Sequence, residues 1–496
     1  MSRRGRFAGA GGRRVGVVRG APFTMVLALA TAVAACTASD EEEGDSVEDA
    51  LAGMNEENFW ERLTGTIASI SEAVEGPGAW TTPDRNNRWS RGFVPQRVGE
   101  ENILPGEDED IRKMAEDIQA IQRKLLASNR GVFERAFHAK PHACVKGKLF
   151  VHVPEDVVSR ARLPATTDRA SLAVGLFAPA DVPYDVWVRW SNGVGGRERP
   201  DGEVDVRGLA FKVLGVRGAR LPDGPTFFRQ EAGTQDFLLT NGSTTPAPTS
   251  EAFAAFGTAQ ANLAAAEGLL EKGGALKDFF KYLVRNPRVG STLVHRVFAE
   301  TKAHDSVLSQ RFFSGGAFAL GVDASGRPLQ AVKMQAQTGT WRDDGGGRGT
   351  CAFEVAQKQD PADFAFPGGQ PRGRGDRPGD PSYLSTGKRG VKTRLVETSL
   401  CIELSLQFQR HDPAMLHEQR QPIEDTSVEW READSPFVPV ATVVVERRQD
   451  PSAEEDECNA LSWNPWHGLV EHRPLGNIMR VRQEVLAASA RLRNAR

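Results

Sequence analysis

The stretch SLCIELSLQFQ, residues 399–409, decides the fold class of this chain. Its apolar side chains recur at every second position from Leu400 to Phe408, with small or polar residues between them. A period of two is typical of a β-strand that buries one face, because successive side chains of a strand point to opposite sides of the sheet. We therefore expect a sheet with one buried face.

Further segments show strand-like patterns and are also predicted to be strands. They are KGKLFVHV (146–153), DVWVRWS (185–191), DVRGLAFKVLGV (205–216), GGAFALGV (315–322), LQAVKMQAQ (329–337) and FVPVATVVV (437–445). Helix-like segments with a period near 3.6 lie before, between and after them, at 58–75, 110–127, 251–303 and 476–496. The sequence thus predicts an α+β protein: an antiparallel β-barrel with surrounding and C-terminal helices.

The first 36 residues differ from the rest of the chain. A basic start without acidic residues precedes an apolar run that ends directly before Cys36. This order is typical of a secretory signal peptide, and VAAC (33–36) resembles the signal of a bacterial lipoprotein. The resemblance implies that Cys36 is lipidated and that the protein is exported and anchored to a membrane of the cell envelope. Ordinary cleavage that leaves Cys36 free is the alternative.

The remaining chain divides by composition. Residues 37–57 are strongly acidic and are predicted to form a solvated tether, and 58–130 are predicted to be an N-terminal helical segment. Residues 131–495 form the main domain. Within it, 340–393 are dense in Gly, Pro and Arg, which predicts a long loop or insertion at the surface.

Charge and cysteine content limit the possible partners and cross-links. The 62 basic and 65 acidic residues nearly cancel, so composition gives no reason to expect nucleic acid as a partner. Four cysteines follow Cys36, far apart and without C-x-x-C spacing. Export would permit disulfides, but the spacing does not specify which cysteines pair.

Histidine pairs are the first candidates for a metal site. His138 and His142 are four residues apart, and His467 and His472 are five apart. Both stretches contain Pro or Gly, so neither presents two imidazoles on one face of a continuous helix. A zinc site would also need a third ligand, for which no local candidate exists. Zinc is therefore not predicted.

An ordered set of motifs is more informative than any single histidine. ERAFHAK (134–140) is followed by VRWSNG (188–193), DVRGLAFKV (205–213) and DFLLTNGSTTP (236–246). This order resembles the haem catalase family, in which such motifs build the distal side of the haem. The later stretches 421–445 and 461–486 resemble an uncharacterised bacterial branch of that family. The resemblance implies that 131–495 form a catalase-like haem domain.

The resemblance also implies roles for individual residues. His138 would be the distal acid–base group, Ser191 would orient its ring, and Asn241 would hold the peroxide. Arg135 and Arg189 would bind the haem propionates, since guanidinium groups pair well with carboxylates. Each has a simpler alternative. Arg135 could solvate a helix end, Arg189 could pair with Glu203 or Asp205, and Ser191 could cap a strand.

The motif that should hold the iron departs from the family pattern. Catalases use a tyrosine four residues after an arginine as the axial ligand of iron. Arg482 matches the arginine, but the position four residues later is Leu486, which cannot coordinate iron. Another residue such as His467, His472 or Met479 could be the ligand, the haem could bind with an open face, or the pocket could be vestigial. The three tyrosines, Tyr184, Tyr282 and Tyr383, are distant in sequence.

Three hypotheses for function follow from these observations. The first is a haem protein that acts on hydrogen peroxide or an organic hydroperoxide. The second is a lipoprotein that keeps the barrel but has lost haem chemistry, which the leucine at position 486 favours. The third is an enzyme that rearranges lipid hydroperoxides. Catalases are commonly oligomeric, so the resemblance also implies a homo-oligomer.

Overall fold

The computed structural model of the chain describes residues 101–103, 106–124, 126, 131, 133–193, 201, 205–221, 233–245, 247, 249–250, 252–254, 258, 306–343, 349–354, 382–410 and 421–494. All of them belong to one compact unit, Thr81–Arg496. Several features predicted above lie outside the described residues: the signal-like residues 1–36 with Cys36, the acidic tether, the helix at 58–75, Glu203, Tyr282 and nearly all of the helical region 251–303.

Eight antiparallel strands close into a barrel. The strands of the sheet are β1 (Pro141–Val151), β2 (Tyr184–Asn192), β3 (Arg207–Val213), β4 (Gln235–Thr240), β5 (Arg311–Ser314), β6 (Ala317–Val322), β7 (Pro328–Arg342), β8 (Thr350–Phe353), β9 (Leu400–Phe408), β10 (Phe437–Val445) and β11 (Pro474–Leu475). The ring runs β7, β5, β4, β3, β2, β1, β10, β9 and back to β7, while β6, β8 and β11 extend it. The predicted fold class is confirmed.

The barrel interior is the main hydrophobic core. It contains the alternating apolar residues recognised in the sequence, such as Val188 and Trp190 of β2, Phe211 of β3, and Leu404 and Leu406 of β9. Closing the sheet removes its edges, and the alternation then sends every second side chain inward. The intervening side chains of β2, β3 and β4 point outward, and the candidate site lies on this outer face.

Six α-helices complete the described part of the chain. They are α1 (Glu107–Lys124), α2 (Val157–Arg160), α3 (Tyr383–Thr386), α4 (Val391–Glu397), α5 (Glu455–Ala460) and α6 (Asn477–Asn494). Helix α1 confirms the period of 3.6 seen at 110–127, and it packs through Met114 and Ile118 on Val481 and Val485 of α6. No helix among the described residues combines the length and the apolar character that crossing a membrane requires.

The four cysteines of the main domain form two disulfides. Cys144 of β1 is bonded to Cys458 of α5, and Cys351 of β8 is bonded to Cys401 of β9. The second bond lies partly inside the region 340–393, whose described residues include the end of β7, strand β8 and helix α3. The first bond attaches the segment that leads into α6 to the barrel wall.

Candidate functional site

His138 lies on the outer face of the barrel in an unusual backbone conformation. Its φ is 54°, in the left-handed region that few residues other than glycine adopt. Its backbone N–H donates to the carbonyl oxygen of Gly193 at 2.9 Å. The ring Nδ1 and Ser191 Oγ are 3.1 Å apart and share a hydrogen bond. The structure therefore brings together two of the residues predicted for the site, 53 positions apart in the chain.

Gly208 makes room for this histidine. Ser191 of β2 is the register partner of Gly208 on β3, so the two residues share one face of the sheet. A Cβ atom at Gly208 would lie 2.4 Å from His138 Nδ1 and 2.9 Å from Ser191 Oγ. Both separations are too short for any other residue. The glycine is part of the DVRGLAFKV motif, so the sequence contained a signal for this position. Sequence reasoning did not predict that His138 packs directly against this glycine.

The imidazole of His138 is neutral over the physiological range. Burial, and then the charges of the nearby guanidinium groups of Arg189, Arg482 and Arg135, together lower the pKa of His138 to about 3. Because one ring nitrogen is held by Ser191, the second nitrogen is the one that can exchange a proton with a ligand.

This depressed pKa predicts a pH-dependent stability. Below pH 6.5 the unfolded chain binds a proton at residue 138 that the folded protein binds only near pH 3, so stability is lost as the pH falls through that window. Between pH 7.5 and 5 we expect the free energy of unfolding of the wild type to fall by about 1–2 kcal/mol more than that of His138→Asn. The ring of His138 keeps some exposure, which limits the size of this difference. Urea unfolding of both proteins at the two pH values measures the difference. Equal losses would show that His138 is hydrated and titrates normally.

Arg189 and Arg482 are the most informative charges at the site. Neither has a carboxylate within ion-pair distance in the described part of the chain. Arg189 is 3% exposed, its Nη2 donates to the carbonyl of Ala139 at 3.1 Å, and its Nε has no partner. Arg482 has a 3.5 Å contact from Nη1 to the carbonyl of Leu238 and a 3.7 Å contact to the sulfur of Met479. Burial and then the charge of Arg493 lower the pKa of Arg189 to about 9, although Glu455 acts in the opposite direction. Burial lowers the pKa of Arg482 to about 10.

The described residues show no ion pair between Arg189 and Asp205, and Glu203, the other partner considered, lies outside the described residues. Asp205 instead accepts a hydrogen bond from the backbone N–H of Gly193 at 3.1 Å and lies 3.7 Å from Arg207. Among the described residues Arg189 therefore has no carboxylate within ion-pair distance, although the charge of Glu455 acts on it from farther away.

Arg135 binds the end of helix α5. Its Nη2 donates to the carbonyl oxygens of Asn459 and Leu461, both at 2.8 Å. Arg493 donates to the same two carbonyls, at 3.0 and 2.8 Å. Sequence reasoning missed Arg493, but a signal existed: it follows Arg482 by eleven residues, or about three helical turns, and so lies on the same face of α6. Two guanidinium groups therefore meet at one pair of carbonyls.

Asn241 has both ends of its amide engaged. Its Oδ1 accepts from the backbone N–H of Arg207 at 2.9 Å, and its Nδ2 donates to Gln310 Oε1 at 3.0 Å. The side-chain amide thus adds one hydrogen bond at the end of the pairing between β3 and β4. Each end of the amide makes one hydrogen bond, so a second N–H of Nδ2 is left for the predicted contact with a peroxide.

A second buried polar group lies beside the site and was not anticipated. His142 Nε2 and Asn192 Oδ1 are 2.7 Å apart, and Lys140 Nζ is 2.7 Å from Asp201 Oδ1. Burial and then the charge of Arg207 hold the pKa of His142 well below its usual range. Among the described residues no group of three or more His, Cys, Asp or Glu side chains could hold a metal ion.

Position 486, where the resemblance predicts a tyrosine, follows Arg482 on the same face of α6. Leu486 lies one turn after Arg482 and is half-buried. Met479 packs against Gly316, where a Cβ would lie 2.6 Å from its Cγ, and Arg482 packs against Gly315 in the same way at 2.3 Å from Nη2. The two glycines allow α6 to approach the turn between β5 and β6 closely.

The three alternative iron ligands are engaged elsewhere. Met479 is held by Gly316 and Arg482. His467 Nδ1 lies 3.3 Å from Asp236 Oδ2. His472 Nε2 accepts from the backbone N–H of Leu176 at 2.9 Å, and burial lowers the pKa of His472 to about 4. The described residues thus offer guanidinium groups that suit the carboxylates of a haem and an imidazole for its distal face, but Leu486 cannot hold its iron.

No family model matches the chain, and no curated protein matches it. Among solved structures, a bacterial catalase has 18% identity and a TM-score of 0.46, and the match covers 83% of this chain but only 64% of that one. A fungal catalase has 16% identity and a TM-score of 0.47, with 84% and 69% covered. Catalase A from Saccharomyces cerevisiae has 15% identity and a TM-score of 0.44, with 83% and 70% covered. At these values the likeness assigns no activity to this chain.

Proposed function

We propose that this protein binds a haem-type ligand through its carboxylates, next to His138, and acts there on hydrogen peroxide or an organic hydroperoxide. The observation that carries the proposal is the pair Arg189 and Arg482, neither of which has a carboxylate within ion-pair distance in the described part of the chain. An unpaired buried charge costs several kcal/mol, so such a pair is expected where an external anion completes the site.

The ligand class follows from the shape and chemistry of these groups. Guanidinium groups bind carboxylates in a planar, bidentate manner, and two of them suit a ligand with more than one carboxylate. The order of the ERAFHAK, VRWSNG and DVRGLAFKV motifs supports a haem-type ligand rather than a small acid. Arg135 and Arg493 already donate hydrogen bonds to backbone carbonyl oxygens. They would therefore act on the carboxylates of the ligand mainly through their positive charge.

The reaction proposed for His138 is a proton transfer. Peroxide cleavage requires a group that takes a proton from one oxygen and returns it to the other. The neutral ring of His138, fixed at Nδ1 by Ser191, can do this at its second nitrogen. The described residues supply no ligand for iron, so no step at a metal is assigned to them.

Replacing Arg189 tests the ligand site directly. Arg189→Met removes a buried, unpaired charge, so we expect the ligand-free protein to be more stable by about 1–3 kcal/mol. The same change should weaken haemin binding at least tenfold in an absorption titration, and wild-type protein should bind the dimethyl ester of haemin as weakly. Arg311→Met, at an exposed ion pair, is the control and should change neither quantity. A loss of stability together with unchanged binding would contradict the proposal.

The second candidate is a non-enzymatic protein of the same fold. Leu486 favours it, because a leucine at this position removes the iron ligand that catalase chemistry uses. An absorption spectrum of the main domain produced with a haem supply separates the two. A Soret band in the purified protein supports the first candidate, and a colourless protein after reconstitution supports the second.

The cellular location is proposed from residues 1–36 alone. Their basic, apolar and cysteine-terminated order supports export and lipidation of Cys36, which would anchor the protein to a membrane of the cell envelope. Metabolic labelling with a fatty acid, compared between wild type and Cys36→Ser, tests this.

A further inference from the structure

Lys333 is a buried amine that the proposed function does not use. It lies on the outer face of β7, opposite Gln407 of β9, whereas its neighbours Val332 and Met334 point into the barrel. The residue is 5% exposed. Its Nζ lies 4.9 Å from the centre of the Trp430 ring. In the described part of the chain this ammonium group has neither a hydrogen-bond acceptor nor an ion-pair partner, which is unusual for a lysine at this depth.

The amine faces a small crevice. Its aromatic walls are Phe313, Trp430 and Phe437, and Ser243, Gln407 and Glu429 supply its polar wall. The free volume is about 10 Å³, room for one water molecule or a ligand of similar size. Glu432 also lines the crevice, and it forms a 2.6 Å ion pair with Arg311 in which both side chains are about half exposed. A surface ion pair of this kind is weak enough to open.

The protonation state of Lys333 favours nucleophilic chemistry. Burial lowers the pKa of Lys333 to about 8, although the carboxylates of Glu429 and Asp425 act in the opposite direction. At pH 7 about a tenth of the amine is therefore neutral, against less than about 0.1% for an ordinary lysine. A desolvated lysine beside a hydrophobic wall is the kind that forms Schiff bases with carbonyl compounds.

We propose that Lys333 condenses reversibly with small aldehydes. The nitrogen lone pair attacks the carbonyl carbon, so a C–N bond forms and the C=O bond opens to a carbinolamine. The carbinolamine takes one proton from solvent and loses water, which leaves an iminium ion. Neither an oxidant nor a reductant is consumed, and hydrolysis reverses the reaction.

The surroundings of Lys333 suit the iminium product better than an anionic adduct. An iminium keeps the positive charge of the lysine, so its attraction to the Trp430 ring and to the carboxylates of Glu429 and Asp425 persists. A carbamate or an acyl adduct would remove that charge or reverse its sign beside the same carboxylates. Because the crevice has room for about one water molecule, its size restricts the partner to formaldehyde and aldehydes close to it in size.

Reductive trapping on the full-length protein tests the proposal. Formaldehyde at low concentration with cyanoborohydride would convert each iminium into a stable methylamine, which peptide mapping by mass spectrometry locates. Lys146 and Lys148, whose side chains are 46% and 50% exposed, are internal references. We expect Lys333 to be methylated at least tenfold faster than either at pH 7. Pyridoxal, which is too large for the crevice, should label the references and leave Lys333 unmodified.

The pH profile and two variants show whether Lys333 is labelled because its amine is reactive or only because the reagent reaches it. The rate at Lys333 should level off above about pH 8, while the rates at the references continue to rise. Glu429→Gln removes a carboxylate but can still accept from Ser243, and it should shift the midpoint to lower pH. Lys333→Arg should abolish labelling at this position and leave Lys146 unchanged. Labelling of Lys333 that appears only in urea, or that follows the profile of Lys146, would overturn the proposal.

Discussion

Leu486→Tyr is expected to raise the hydrogen peroxide turnover of the haem-loaded protein at least a hundredfold over wild type. The change would supply an anionic oxygen ligand one helical turn after Arg482, on the face of α6 that carries both residues. Arg482 has no carboxylate partner among the described residues, so its charge is available to lower the pKa of a neighbouring phenol. Oxygen release after addition of peroxide measures turnover.

The absorption spectrum provides the second measurement for Leu486→Tyr. We expect a stronger and shifted Soret band in the variant, with added charge-transfer absorption from a ferric tyrosinate. Leu486→Phe is the matched control, because it adds the ring without the hydroxyl group and should resemble wild type in both measurements. If the tyrosine and phenylalanine variants bind haem and turn over peroxide equally, position 486 does not face the iron.

Asp236→Ala is expected to destabilise the protein by about 3–5 kcal/mol, the largest loss that we predict for a single substitution. Asp236 and Lys212 are fully buried side by side on β4 and β3, and Lys212 Nζ lies 2.7 Å from Asp236 Oδ2. Burial alone would raise the pKa of Asp236, but Lys212 and His467 outweigh it and hold that pKa below its usual value. Removing the carboxylate leaves the ammonium group buried with its charge uncompensated.

The same carboxylate positions the chain that leads into α6. Asp236 Oδ2 accepts from the backbone N–H of Asn464 at 3.1 Å, and the Asn464 side chain donates to the carbonyl of Gln483 on α6 at 2.9 Å. Loss of Asp236 should therefore also weaken haemin binding, since Arg482 lies on that helix. Urea unfolding and a haemin titration provide the two readouts.

Two controls distinguish a buried ion pair from a general effect of substitution. Asp185→Ala removes one partner of the exposed Lys148–Asp185 pair and should cost less than about 1 kcal/mol. The double variant Lys212→Met with Asp236→Leu removes both charges and should be more stable than Asp236→Ala alone. If Asp236→Ala costs no more than Asp185→Ala, water reaches the buried pair and the argument for its role fails.

Local patterns were sufficient for most of the fold. The alternation in 399–409 and 437–445 predicted β9 and β10, and the helical period predicted α1 and α6. The short strands β4, β5, β8 and β11 were missed, because segments of two to six residues are too short to show a clear period. Disulfide pairing was also beyond the sequence, since partners 314 and 50 positions apart leave no local signal.

The sequence by itself determined which residue types are present: a histidine in ERAFHAK, a serine in VRWSNG, and a leucine where the resemblance expects tyrosine. Only the tertiary structure decided which of them meet. It places His138 in hydrogen-bond contact with Ser191 and against Gly208. It leaves Arg189 and Arg482 without a carboxylate in ion-pair distance among the described residues, and it gives each end of the Asn241 amide one hydrogen bond. The physical reason is that strand and helix periods depend on neighbouring residues, whereas the charge balance and pKa of a buried group depend on partners that the closed barrel brings together from distant parts of the chain.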